Sequence, residues 1–379
     1  MLLAIQGGRI YTMSSTGILE NGTILVEQER IVDIGNEVNI PPGCEIIDAR
    51  NKHVCPGIID AHSHLGLCEE IYRVEGDDLN EDIEPVSPQL QAVDGINFWD
   101  IGFQDALRGG VTRVQVVPGS ANIIGGQAVL LKTLASNPSG MVYRNPWGVK
   151  AALGENPKRV YGGKRKTPRT RMANAALLRE ALFAAARLGN NEQLDAAGEF
   201  RLRPLYRVLC REMPLLVHAH RADDILTALR IKDEFNIDMV IQHGTEAFLV
   251  AEELARREVK VAMGPLLVNR AKVEMQKVSF KNAKRLQEAG VDFCFITDHP
   301  VVPIQHLRIC AALAVREGLG EAEALKAITS SAAAILGVDD ELGSIEKGKR
   351  ADLVIFSHHP LETQSRVEMT MVDGIRWRD

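Results

Sequence analysis

His62 and His64 stand two residues apart at the end of the apolar run GIIDAHSH (57–64). On a β-strand, side chains two apart share a face, so both imidazoles can reach one metal ion. The run PLLVHAH (214–220) ends on His218 and His220, DMVIQHG (238–244) ends on His243, and VDFCFITDHP (291–300) carries Asp298. Imidazole nitrogen and carboxylate oxygen are the donors that Zn²⁺ or a similar divalent ion takes, and a centre with an open position polarises water. Taken singly, each histidine reads more simply as a hydrogen-bonded core or rim residue. Taken together, four imidazoles and a carboxylate are costly to bury in one place unless a cation or mutual hydrogen bonds satisfy them, and a metal is the simpler explanation.

Such convergence requires strands that end at a common rim. Up to Cys55 the chain alternates Ile, Val and Leu between Gly, Asn and Asp turn signals, a pattern of short antiparallel strands. Beyond Gly57 it changes to buried apolar runs alternating with helical stretches, which indicates βα units and a parallel sheet. Eight runs qualify: 57–64, 111–119, 127–133, 147–154, 214–220, 238–244, 259–265 and 291–300, with 127–133 the weakest because it reads equally well as a loop. Eight strands in βα order predict an α/β fold, a closed (β/α)8 barrel over residues 56–344, with chemistry at the C-terminal ends of the strands. The final segment, GSIEKGKRADLVIFS to TMVDGIRWRD, matches the N-terminal strands in composition, so residues 1–55 and 345–379 are expected to form one small composite β-sandwich domain. The helical stripe Ile225, Leu229 and Phe235 reads as core.

Composition narrows the function classes. With 379 residues, 45% hydrophobic and 25% charged, the chain has ample material for a core. Lys and Arg number 44 against 50 Asp and Glu, so no basic excess points to nucleic acid. The six cysteines lie far apart without a C-x-x-C pair, as reduced buried thiols do. No apolar run reaches the ~18 residues of a membrane helix, and MLLAIQGGRIYTM lacks the basic lead of a signal peptide. The expectation is an unexported cytoplasmic protein without membrane or nucleic-acid partners.

The sequence VCPGIIDAHSH, the strand-terminal His218 and His243, the aspartate of ITDHP and the closing EALKAITSSAAAILGVDDELGSIEKGKRADLVIF together resemble the metal-dependent amidohydrolase superfamily. The similarity runs from GGRIYT to ADLVIF and is greatest toward the imidazolonepropionase-like and prolidase-like branch. It implies a divalent ion, Zn²⁺ first with Fe²⁺ or Mn²⁺ as alternatives, in one or two copies. His62, His64, His218, His243 and Asp298 match the ligand positions. It further implies that Asp298 takes the proton of the hydrolytic water and passes it to the leaving group, and that His243 binds a second metal or contacts the tetrahedral intermediate. Within VHAH, His218 fits the ligand pattern, leaving His220 as a supporting or substrate contact. The implied activity is hydrolysis of a cyclic or linear amide C–N bond in a small molecule. Alternatives are a prolidase-like dipeptidase, a deaminase, or a non-catalytic scaffold. A homo-oligomer is expected by resemblance alone.

Other residues have two readings each. Lys150, near the end of the fourth run, either snorkels to solvent or, as many relatives have it, is carboxylated and bridges two metals; Glu155 is its rival as bridge. The segment NPKRVYGGKRKTPRTR (156–171) carries seven basic residues and no acid. It is either a solvated loop or a cover over the barrel mouth, where Lys164, Arg165 and Lys166 would hold an anionic substrate. Arg221 either clamps a substrate carboxylate or pairs with Asp223 or Asp224. His299 should face away from Asp298 along a strand. Glu75 and Asp77 read as solvated.

Overall fold

A computed structural model describes residues 2–71, 74–190 and 195–377. Met1, Arg378 and Asp379 of the expected terminal strands lie outside the described residues. Two eight-stranded sheets organise the chain. The first begins with β1 (Leu2–Tyr11), β2 (Ile18–Glu27), β3 (Arg30–Gly35), β4 (Glu45–Asp48) and β5 (His53–Pro56). The chain then enters the second sheet through β6 (Ile58–Ser63), β7 (Val111–Val116), β8 (Ile124–Lys132), β9 (Val142–Ala152), β10 (Leu215–Ala219), β11 (Met239–His243), β12 (Lys260–Met263) and β13 (Phe293–Phe295). It returns to the first through β14 (Leu353–Phe356), β15 (Val367–Val372) and β16 (Ile375–Trp377).

In the first sheet the two chain ends pair directly, with β14 antiparallel to β5 from Leu353↔Pro56 to Phe356↔His53. The hairpins read from the sequence are antiparallel, but β4 and β5 both run parallel to β1. The turn signals before β4 and β5 mark where the chain leaves a strand and do not fix which way it comes back. Leu3, Ile5, Ile24, Val26, Leu353 and Met371 form this sheet's buried face.

The second sheet runs in sequence order from β6 to β13 and curls into a nearly closed barrel. Its third strand departs from the all-parallel expectation: β8 is antiparallel to both β7 and β9. A parallel neighbour needs a crossover of a dozen or more residues, usually helical, whereas an antiparallel one needs only a short loop. Residues 117–123 and 133–141 are such loops. The start of β8, not its end, therefore lies at the rim where β7 ends and β9 ends. Helices such as Ala222–Phe235 and Leu307–Arg316 cover the outside, the first burying Ile225 and Leu229. Inside, Ile59, Leu130, Leu216, Val240 and Ile296 pack with Ala332 and Ala333 of the helix Ser330–Ile335, which plugs the bottom; Trp147 Nε1 donates to Leu336 O there at 2.7 Å.

At the seam between β13 and β6 no ladder forms. It is closed by Asp298 N–H to His62 O (3.2 Å) and His64 N–H to His299 O (2.9 Å). The seam thus joins the two segments that carry the most conspicuous metal-binding motifs. Among the described residues no helix is long and apolar enough to cross a membrane.

Candidate metal centre

The strand alternation decides which side chains enter the barrel. On β10, Leu215, Val217 and Ala219 pack outward while Leu216 packs inward, so His218 and, one step on, His220 project inward above Leu216. His62 and His64 enter from the end of β6 and His243 from the end of β11. Asp298 enters from just beyond β13. His243 and Asp298 have φ of 77° and 55°. Left-handed backbone at a residue other than glycine costs on the order of 1–2 kcal/mol and concentrates at functional sites, where surrounding structure enforces it. Here Asp298 is held by its bond to His62 O, and His243 O accepts from Gly264 N.

The five imidazoles and Asp298 form one buried group. Asp298 Oδ1 lies 3.0 Å from His62 Nε2 and 3.2 Å from His64 Nε2. Ring centroids of His62 and His243 are 4.7 Å apart, and those of His218 and His243 4.3 Å. Potential donor atoms of His62, His243 and Asp298 lie within 4.8 Å of one another, as do those of His218, His220 and His243.

The outer ring nitrogens of His64, His218, His220 and His243 are tied down. His64 Nδ1 donates to Val117 O at 2.8 Å and His243 Nδ1 to Gly264 O at 2.9 Å. A carbonyl only accepts, so each of these rings, when neutral, carries its proton on Nδ1 and turns its Nε2 lone pair inward. Gly264 approaches Ile296 so closely that a Cβ would stand 2.3 Å from Ile296 O, which only glycine allows. His218 Nδ1 meets Ser120 Oγ at 3.0 Å and His220 Nδ1 meets Thr245 Oγ1 at 2.7 Å. Such fixed outer contacts are what orient imidazole ligands around a metal.

The electrostatics favour the same protonation states. Burial lowers His62 to about 3 and His220 to about 4, and holds His218 and His243 well below the usual imidazole range. Burial opposes ionisation of Asp298, but His243, His62 and His64 outweigh it and the carboxyl is held well below its ordinary value. Neutral imidazoles beside an ionised carboxylate are the ligand forms a divalent cation requires. Nε2 of His62, facing the Asp298 carboxylate, and Nε2 of His243 are buried and make no hydrogen bond. Unpaired buried polar atoms are rare and costly, and a cation at their meeting point would satisfy them, so the residues present fit a metal.

Lys150 does not snorkel. It is fully buried inside the barrel, its Nζ 2.9 Å from Gln242 Oε1, and Gln242 Nε2 donates on to Gln115. Burial lowers its pKa to about 7, with Asp298 partly opposing. Glu155 starts the helix Glu155–Gly163 and accepts from Glu274 N at 3.4 Å.

A cavity of about 550 Å³ opens above the centre. Its floor includes His64, His218, His220, His243 and Asp298, and its walls include Leu267 and Met275. Of the basic insertion, Arg159 lines this cavity, whereas Lys164 pairs with Asp82 and Lys166 reaches Ile83 O. Lys272, from the loop after β12, joins Arg159 at the wall. Arg221 lies outside the lining and makes a bidentate pair with Asp223, both bonds 2.9 Å: two residues apart at a helix start, the pair forms locally and leaves no fork for a ligand. His299 turns away, Nδ1 accepting from Ile304 N and Nε2 3.6 Å from Glu70. Glu75 and Asp77 are outside the lining; Asp77 caps Leu79 N.

Sequence reasoning missed Glu274. It sits in the short helical turn Val273–Met275 with its side chain fully buried, and Oε1 lies 3.6 Å from His218 Nε2 and 3.8 Å from His220 Nε2. The available signal was its isolation: it is the sole acid between Pro265 and Phe280, in a loop leaving the C-terminal end of a barrel strand.

A barrel with histidines and an aspartate at its strand ends defines a class, and comparison with known proteins agrees. The profile of the amidohydrolase family matches residues 53–376, and the chain belongs to that family. A crystal structure of an amidohydrolase from Thermotoga maritima MSB8 is 38% identical, covers 99% of each chain and superposes with a TM-score of 0.95. Amidohydrolase tasK of Hapsidospora irregularis is 29% identical over 93% of this chain, which spans only 39% of that protein's length. An imidazolonepropionase of Symbiobacterium thermophilum is 25% identical, covering 94% of this chain and 89% of its own.

Proposed function

We propose that this protein hydrolyses an amide C–N bond, cyclic or linear, in a small molecule bearing a carboxylate or similar anion. The observation that carries the reading is the inward convergence of bare imidazole Nε2 atoms on the Asp298 carboxylate at the floor of a cavity. His62, His64 and Asp298 hold a divalent ion, Zn²⁺ in the first instance, with His218 and His243 completing its surroundings. Such an ion supplies Lewis acidity toward a substrate carbonyl and lowers the pKa of water. Asp298, ionised and accessible to the cavity, accepts the proton of the attacking water and delivers it to the departing nitrogen. Arg159 is exposed and Lys272 partly so, and both stand at the wall; their charges suit an anionic group on the substrate.

A prolidase-like reading is the second choice, because the same wall cations would suit a dipeptide carboxylate. In support, a prolidase structure complexed with N-methylphosphonate-L-proline covers the whole chain with a TM-score of 0.65 at 20% identity, a likeness of fold. A non-catalytic scaffold has no physical need for this many converging donors. Metal analysis of the purified protein, followed by assay of N-acyl amino acids, lactams and X-Pro dipeptides before and after chelation, tests the proposal. Near-stoichiometric metal with chelator-sensitive hydrolysis is expected; a folded, metal-free protein would refute it.

A further inference from the structure

We propose that Glu274 is a positioning residue for substrate binding: from the loop after β12 it caps the helix Glu155–Gly163, and so fixes Arg159 and Lys272 against each other as one anion-binding wall. This deepens the anionic-substrate reading and rests on it. Three observations carry it. First, the helix has no cap of its own. Its N-cap is Gly154, which has φ of 88° and no side chain to accept an N–H. The first N–H groups of a helix need acceptors and favour negative charge. Glu274 Oε2 supplies both, accepting the N–H of Glu155 at 3.1 Å from 119 residues along the chain. A Cβ at residue 154 would stand 2.8 Å from that oxygen, so glycine keeps the space for it.

Second, the loop and the helix are joined at two further points. Glu274 N–H donates to Glu155 Oε2 at 3.4 Å, and Lys272 Nζ donates to Asn156 Oδ1 at 3.1 Å. The Glu274 side chain is fully buried. Its bond to the helix is therefore shielded from water, where a hydrogen bond to an ionised acceptor is at its strongest.

Third, the capped helix turns one face to the cavity. Asn156, Arg159 and Val160 line it, and residues three and four apart share a helix face. Arg159 is exposed and has no hydrogen-bond or ion-pair partner among the described residues. Lys272, two residues before Glu274, lines the same cavity. The bond from Glu155 N to Glu274 thus sets where the guanidinium of the helix stands relative to the ammonium of the loop. Without it, the remaining side-chain link between the two elements is the Lys272 ammonium on Asn156, a cation that must also meet the substrate.

The test is the affinity of the metal-loaded, full-length protein for phenylbutyrate and for phenylbutanol, its uncharged counterpart, with metal content and thermal unfolding followed on the same samples. Wild type is expected to prefer the carboxylate by about tenfold or more, as charge-assisted hydrogen bonds provide. Glu274→Met, which removes the cap at similar size, should lose most of that preference while keeping its metal and its affinity for the alcohol. Glu274→Gln, which keeps an oxygen for the Glu155 N–H, should restore it. Gly154→Ala, which crowds the carboxylate instead of deleting it, should repeat the loss and carries the test if Glu274→Met does not fold. The proposal fails if Glu274→Met, or Gly154→Ala in its place, keeps the wild-type preference and only melts at a lower temperature, as a merely structural cap would. It fails equally if Glu274→Gln loses as much as Glu274→Met, or if the loss comes with loss of metal, because the effect would then run through His218 and His220. Each of these outcomes leaves the anionic-substrate reading standing. A wild type with no preference for the carboxylate overturns that reading and the role of Glu274 with it.

Discussion

Asp60 on β6 accepts hydrogen bonds from both the backbone N–H and the hydroxyl of Thr297, across the seam where the barrel has no ladder. Asp60 also accepts from His62 N at 3.2 Å. One buried carboxyl therefore ties the strand that carries His62 to the segment that carries Asp298, and sets the distance between these two groups. Thr297→Val removes the hydroxyl with little change of shape. We predict a loss of about 1–3 kcal/mol, the cost of a buried acceptor left without its donor, and a metal affinity weaker by roughly 10–100-fold, as when an outer support of a ligand is lost. Urea unfolding and metal titration measure the two effects; unchanged metal affinity would remove Thr297 from the positioning role.

The cations at the cavity wall are separable from those outside it. For a carboxylate-bearing substrate, Arg159→Gln or Lys272→Met should raise KM by ~10–100-fold, corresponding to the ~1.5–3 kcal/mol of a hydrogen bond to a charged group. Neutralising Lys164, Arg165 and Lys166 together should leave KM within about twofold, since Lys164 and Lys166 are engaged with Asp82 and Ile83. The reverse pattern would return the substrate role to the triple cluster.

A second buried electrostatic knot lies away from the chemistry. Arg113 of β7, fully buried, forks onto Asp352 at 2.7 and 2.9 Å and reaches Asp373 at 2.5 Å. It links the barrel to the sheet made by the chain ends. Asp352→Ala should cost ~3–5 kcal/mol, because it removes the bidentate partner of a buried guanidinium and leaves it only Asp373, while leaving metal content unchanged in the folded fraction. A melting temperature close to wild type would contradict this.

We propose that residues 1–55 and 345–379 fold as one unit around the pairing of β5 with β14. A chain ending near Gly343 would lose β14 to β16 and expose the apolar edge of β5. It should be insoluble, as judged by the soluble fraction on expression; a soluble and active truncation would refute the unit.

The strand-terminal histidines were legible because inward and outward positions alternate on a strand, so an apolar run ending in H-x-H announces both its direction and its shared face. The reversal of β8 was not legible: a strand buried on both faces, as Ile124–Leu131 is, reads the same in either direction. The fate of Lys150 depended on whether its strand faced inward at that position, and a stretch of all-buried residues, Trp147–Ala152, hides that parity. Arg221 and Glu274 illustrate the remaining difficulty. Local pairing with Asp223 removed the first from the cavity, and a loop of no periodic pattern brought in the second from 54 residues beyond His220, a contact that only the closed barrel creates.

The most direct measurement is kcat and metal content of Asp298→Asn on the same preparation. Asn keeps the size of the side chain and an oxygen for the ion but has no carboxylate to receive a proton. The account predicts a folded protein that retains at least one metal ion, with kcat reduced by ~10²–10⁴-fold, whereas His62→Ala and His64→Ala should lose metal itself. Near wild-type kcat in a metal-loaded Asp298→Asn enzyme would contradict the account and transfer the proton to another base, His243 foremost.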